Sequence, residues 1–140
     1  MTEYPLSQNM PPEEIKSKTG KSLKDININN ILDGKITADD IKISKKTLIM
    51  QGEIAKEAGR TQLNDNFVRA SELIEVPDKE LLEIYEKLRP NRSTKSELLE
   101  IAKSLYDKYG ANHCSKLVLD AMEVYEKRGL LKWYLLQVLI

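Results

Sequence analysis

From Ser44 onward, apolar residues recur every three or four positions, and each break in that rhythm falls at a glycine or a proline. Ser44 is the candidate N-cap of a first helix, whose stripe of Leu48, Ile49, Ala55 and Ala58 stops at Gly59. Asn64 or Asp65 is the candidate cap of a second, with Phe67, Ala70, Leu73 and Ile74 facing inward. Pro77 ends it, because the residue before a proline is pushed out of the helical region. A third segment runs from Asp78 to Leu88 on Leu81, Leu82, Ile84, Tyr85 and Leu88, and Pro90 terminates it. Thr94 and Glu97 have the spacing of a capping box, and Leu98, Ile101, Ala102, Leu105, Tyr106 and Tyr109 form the stripe that follows, up to Gly110. The last clear helix extends from about Asn112 to Arg128 on Leu117, Val118, Ala121, Met122 and Tyr125, with Gly129 as its C-cap. These helices are short, so each depends on packing more than on its own hydrogen bonds.

The two ends read differently. Up to about Ser22 there is little periodicity, Pro5, Pro11 and Pro12 interrupt the chain, and Thr19-Gly20 signals a turn, which predicts an extended arm. Ile26, Ile28, Ile31 and Leu32 precede Gly34, which closes a short helix in the left-handed conformation. Thr37 is the candidate cap of a brief turn from Ala38, with Asp39 and Asp40 facing its unpaired amides. At the other end, residues 130–140 are apolar except for Lys132 and Gln137, and Trp133 and Tyr134 are the large anchors. A membrane span needs about 20 apolar residues, so this run is too short to be one, and it is too apolar for a solvated terminus. It is expected to fold back or to pack on a partner. The pattern therefore predicts a mainly α protein: residues 1–36 as an extended arm with a short helix, 37–129 as a compact helical body, and 130–140 as an apolar tail.

Composition narrows the function classes. The chain has 140 residues, one modest core's worth, and its 22 Lys and Arg balance 22 Asp and Glu to a net charge of zero. Non-specific nucleic-acid binding needs a cationic surplus that is missing here. A single cysteine, Cys114, forms no intramolecular disulfide and suits a reducing compartment, and no basic start followed by an apolar run marks a secretion signal.

None of the chemical motifs is complete. Thr19-Gly20-Lys21-Ser22 resembles the end of a phosphate loop, but the earlier glycine would have to occupy the position of Ile15, so a turn is the better reading and Lys21 is not taken as a phosphate ligand. His113 and Cys114 are adjacent on a helix and point about a quarter-turn apart, poor geometry for a nucleophile and its base, and two ligands fall short of the roughly four that zinc takes. Glu80, Glu83, Glu86 and Glu97 read as a solvated helical face. Asn91-Arg92-Ser93 matches a glycosylation acceptor without a secretion route. Arg60, Arg69, Arg89 and Arg92 are expected to form ion pairs between helices or between subunits. An arm, a helical body and an adhesive tail without a catalytic set describe a subunit.

Ordered stretches along the chain carry a family resemblance. They are Tyr4-Pro5-Leu6, Thr19-Gly20-Lys21, Asp40 to Ser44 with Thr47-Leu48, Gln51, Ile54-Ala55 and Gly59-Arg60. They continue through Asn66, Arg69-Ala70, Glu72-Leu73, Ile84-Tyr85, Leu88-Arg89-Pro90, Arg92-Ser93, Glu123-Val124-Tyr125 and Arg128. Over about Tyr4 to Leu131 the chain resembles the small (gamma) subunit of the adenosylcobalamin-dependent diol and glycerol dehydratases. The resemblance implies a dimer of heterotrimers with large (alpha) and medium (beta) subunits that converts propane-1,2-diol or glycerol to the aldehyde with loss of water. It also implies that substrate, cation and adenosylcobalamin are held by the partners, so that this chain carries no catalytic, cofactor-binding or metal-binding residue and instead supports the large subunit. A cytoplasmic location follows. Family members with a longer start carry an extension associated with packaging into bacterial microcompartments; the start here is short, and encapsulation is not inferred from it. Lys132 to Ile140 departs from the polar end usual in the family.

The candidate contact residues are Tyr4, Pro5 and Leu6 in the arm, Arg60, Arg69, Arg89 and Arg92 in the body, and Trp133 and Tyr134 in the tail. Neither nucleic acid nor membrane is an expected partner. Two other readings compete with the dehydratase subunit: a free-standing helical interaction protein, and a small enzyme using His113 and Cys114. If Arg89 pairs across a buried contact, replacing it should weaken assembly more than replacing Lys79.

Overall fold

A computed structural model of the chain describes residues 3–133. The elements are α1 (Leu6–Asn9), α2 (Ile28–Leu32), a 3-10 turn (Ala38–Ile41), α3 (Lys45–Glu57), α4 (Thr61–Leu73), α5 (Asp78–Lys87), α6 (Lys95–Tyr109) and α7 (Asn112–Arg128). The described residues contain no β-strand, only isolated bridges between Lys16 and Ser22 and between Ser17 and Ile43. The mainly α reading therefore holds. Two compact units divide the chain, Met1–Ile74 and Glu75–Ile140.

In the first unit, α3 and α4 form a helical hairpin. The Ser44 hydroxyl caps α3 by accepting the Thr47 amide at 3.2 Å, as its position before the apolar stripe predicts. Gly59, at φ 77°, reverses the chain, and the Arg60 amide returns to the Ala55 carbonyl at 2.8 Å. Thr61 thus begins α4 at once, and Asn64 and Asp65 lie inside the helix instead of capping it. The hairpin closes on Gly52: a Cβ there would stand 2.8 Å from Asn64 Oδ1 and 3.2 Å from Phe67 Cβ. The buried face of α3 is accordingly Leu48, Gly52 and Ala55 with Thr47 and Met50, while Ile49 and Ala58 of the expected stripe are exposed. On α4 the buried residues are Ser71 and Glu72; Phe67, Ala70, Leu73 and Ile74 are half-buried.

The N-terminal segment contains one helical turn, α1, and is fastened to the rest of this unit by polar contacts. Lys18 donates its amide to the Lys42 carbonyl at 2.7 Å and its ammonium to the Ile74 carbonyl at 2.9 Å. The Thr19 hydroxyl donates to Asp40 at 2.7 Å, and the other oxygen of Asp40 accepts the Thr37 amide at 2.8 Å and its hydroxyl at 3.0 Å. Thr19-Gly20-Lys21 is the expected turn, with Gly20 at φ 86°. The α2 helix ends, also as expected, at a left-handed Gly34. Its apolar residues Ile28, Ile31 and Leu32 nevertheless face water.

In the second unit α6 packs on α7. Leu98, Ala102 and Leu105 interleave with Cys114, Val118 and Met122, all buried, and Leu98 is 0% exposed. The Ser115 hydroxyl satisfies itself on the Ala102 carbonyl at 2.7 Å. The capping box at Thr94 and Glu97 is formed, and Gly110 and Gly129 close the two helices at φ 60° and 65°. The α5 helix buries no residue fully; Tyr125 Oη donates to the Leu88 carbonyl, and Ser93 Oγ to the Lys87 carbonyl at 2.6 Å. Leu130 and Lys132 run beside the loop at residues 91–93, through Asn91 N–H to Leu130 O and Lys132 N–H to Ser93 O, both 2.8 Å. Tyr106 and Leu117, assigned by periodicity to the core, are exposed.

Candidate subunit interface

Each unit leaves large apolar side chains at its surface. In the first they include Tyr4, at 80% exposure, and Ile28, Ile31 and Leu32 on α2. In the second they are Leu82 and Tyr85, one turn apart on α5; Leu99 and Tyr106, two turns apart on α6; Leu117 and Val124, with the same spacing on α7; and Trp133. Single exposed leucines are ordinary, but helical positions that repeat on one outer face form stripes of the kind that another protein covers.

The first unit also holds a groove of about 810 Å³ between the N-terminal segment and the α3–α4 hairpin. Leu6, Ile15 and Leu23 line one side and Ile54, Leu63 and Phe67 the other, and Tyr4 and Arg60 are also among its lining residues. The fastening of Thr19 to Asp40 helps hold the first of these walls in place.

The structure thus brings three of the candidate contact residues, Tyr4, Leu6 and Arg60, into one feature. Pro5, half-buried, follows a cis peptide bond from Tyr4. Arg69 is half-buried on α4 and donates to Asn66 Oδ1 one turn earlier. Arg89 is exposed and pairs with Glu86 of its own chain at 3.1 Å. Arg92 is exposed in the loop after Pro90, its amide on the Arg89 carbonyl at 3.2 Å. The Arg69–Asn66 and Arg89–Glu86 contacts are local, each joining residues three apart. Trp133 is 79% exposed, and Tyr134 lies outside the described residues together with the remainder of the tail.

Three of the carboxylates with lowered titration, Asp40, Glu80 and Glu97, fasten one part of a unit to another. Asp40 is held below the usual aspartate range by the Thr19 hydroxyl and then by the Thr37 amide and hydroxyl. Glu80 is lowered by the Tyr109 hydroxyl and the Lys108 ammonium, whose Nζ is 3.0 Å away. Glu97, lowered most, titrates at about 2 because the Lys87 ammonium and then the Thr94 amide bind its charged form. A general acid or base near neutral pH needs a shift in the opposite direction, so these groups act as fasteners. Cys114 is buried in the helix packing. Among the described residues no group of three His, Cys, Asp or Glu side chains is placed to hold a metal ion, and no helix is long and apolar enough to cross a membrane.

Sequence reasoning missed Gly52, whose absent side chain sets the hairpin spacing, and the pairing of Thr19 with Asp40. Glycine within a helical stretch was a signal for the first. Nothing local signals the second, because its partners are 21 residues apart.

A family model described as the dehydratase small subunit matches residues 1–132. The chain belongs to the dehydratase small-subunit family. It is 48% identical over 132 residues to the propanediol dehydratase small subunits of Citrobacter freundii and Salmonella typhimurium, an alignment that covers 94% of this chain and 76% of each relative. The resemblance read from the ordered stretches is thereby borne out. As a dehydratase small subunit, the chain has exposed apolar stripes and a groove for which membership of a multi-subunit enzyme supplies a physical reason.

Proposed function

We propose that this chain is the small, non-catalytic subunit of an adenosylcobalamin-dependent propanediol or glycerol dehydratase, a lyase that forms the aldehyde and water. Its work is to cover and hold the large subunit, within a dimer of heterotrimers that also contains the medium subunit and acts in the cytoplasm. The observation that carries this reading is the apolar surface left on both units of a member of this family, from Tyr4 and Leu32 to Tyr85 and Trp133. Such surface is costly in water and favourable once a partner covers it.

The groove of the first unit is not matched to adenosylcobalamin itself. At about 810 Å³ the groove is within the about 300–1,000 Å³ usual for a drug-sized ligand, which is small for a corrinoid macrocycle. The cofactor and the radical chemistry it supplies belong, on this reading, to the partner subunits.

Co-expression with candidate large and medium subunits tests the reading. The expected result is a shared peak in size-exclusion chromatography with light scattering, and diol or glycerol dehydration in the presence of adenosylcobalamin that is lost when this chain is omitted. A separate monodisperse peak, with full activity from the other two subunits, would make the chain a free-standing interaction protein.

A further inference from the structure

The groove of the first unit is apolar along most of its lining and has no acidic side chain there. Its one charged lining residue is Arg60, which also borders a neighbouring polar recess formed with Gly59, Thr61, Gln62 and Asn66. Arg69 and Arg89 spend their guanidinium groups on Asn66 and Glu86, whereas that of Arg60 has no hydrogen bond or ion pair among the described residues. Its position follows from the backbone: Gly59 turns the chain, and Arg60 is the residue before the first turn of α4.

An occupant that fills the groove takes that guanidinium partly out of water. Burying a charge without a counter-charge is strongly unfavourable, so a stable occupant has to supply a carboxylate at this end and apolar surface along the rest. Arginine suits the task, since its planar fork pairs with both oxygens of a carboxylate. Resting on the assembly role proposed above, we infer that the groove seats a segment of the dehydratase large subunit whose apolar side chains lie along Ile54, Leu63 and Phe67 and whose Asp or Glu pairs with Arg60.

The test uses the three-subunit complex. A photo-crosslinking benzoylphenylalanine at Tyr4, an exposed aromatic position at the groove, should yield a large-subunit peptide, identified by mass spectrometry, that contains apolar residues and an Asp or Glu. Arg60→Glu should weaken binding of this chain to the other two subunits by about 30-fold or more, chiefly through faster dissociation. Ala58→Trp, which fills the groove from an exposed position, should do the same without a change of charge. Lys79→Glu, an exposed charge reversal in the second unit, should stay within about twofold. Placing Lys at the carboxylate that the crosslink locates should restore binding of the Arg60→Glu variant. Crosslinks confined to the medium subunit or to a second copy of this chain overturn the inference, as do Arg60→Glu and Ala58→Trp variants that bind like the wild type while the wild type itself assembles. Failure of the wild type to assemble would overturn the assembly reading, and the occupant with it. The crosslink is read on a chain with its own Arg60 and Ala58, so it does not depend on either variant folding.

Discussion

The two units each contain a helical hairpin, but they are closed by different means. In the second, α6 and α7 interleave Leu98, Ala102 and Leu105 with Cys114, Val118 and Met122, so stability comes from apolar volume removed from water. In the first, α3 and α4 approach over a glycine, α4 buries Ser71 and Glu72 with no large apolar residue fully covered, and the N-terminal segment is held by amides, hydroxyls, the Lys18 ammonium and the Asp40 carboxylate. A hairpin packed side chain into side chain leaves little room beside its seam. One closed by backbone approach and polar fasteners keeps apolar lining such as Leu63 and Phe67 available to a groove. The difference separates a unit that completes its own core from one whose apolar surface is finished by another protein.

The largest effect should come from the packed seam. Leu105→Ala removes a fully buried side chain and should cost about 3 kcal/mol of stability, with little of the cavity recovered by collapse. Leu63→Ala, at the exposed groove of the first unit, should cost under about 1 kcal/mol in the isolated chain. Urea unfolding checks the totals, and amide hydrogen exchange assigns each loss to its unit. Equal losses at the two positions would erase the contrast between the two units.

Gly52 tests the other hairpin. Gly52→Val places a branched side chain against Asn64 and Phe67, and should cost about 1–3 kcal/mol, with faster exchange across α3 and α4 and little change in α6 and α7. Gly52→Ala should be milder. Asn64 Oδ1 can rotate away whereas Phe67 Cβ moves only with its backbone, and alanine regains about 1 kcal/mol of helix propensity. A neutral Gly52→Val would show that the close approach is not what shapes the hairpin.

The same contrast decides how much was legible in the sequence. In the second unit the signals are local and agree with one another: Thr94 with Glu97 starts α6, Gly110 ends it, and α7 runs from Asn112 to Arg128 before Gly129, as the periodicity predicts. What periodicity could not decide there is which apolar residues stay outside. Tyr106 follows Leu105 by one residue and Leu117 precedes Val118 by one, so a 100° turn separates core from surface. In the first unit the determinants are non-local. Thr19 meets Asp40, Lys18 meets Ile74, and Gly52 meets Asn64, none of which is a motif. The candidate contact residues came from the family resemblance and from residue chemistry; their convergence on one groove, for Tyr4, Leu6 and Arg60, needed the coordinates.

The smallest predicted effect concerns the start of α6, where one carboxylate serves two purposes. Glu97 accepts the Thr94 amide at 2.8 Å through one oxygen and the Lys87 ammonium of the α5 end through the other, so it both caps α6 and ties α5 to it. Those two donors bind the ionised form, which is why the carboxyl titrates at about 2 instead of its ordinary 4.5. The folded value is the lower one, so the contribution is complete above about pH 4.5 and is lost as pH falls from there through about 2. Glu97→Gln, which retains an acceptor but not the charge, should lower stability at neutral pH by about 1 kcal/mol or less, because the pair is partly solvated. It should also flatten the fall of stability between those pH values relative to the wild type. Parallel acid-unfolding curves for the two proteins would mean that the Lys87–Glu97 link does not stabilise the second unit, leaving the apolar seam of α6 and α7 to carry it.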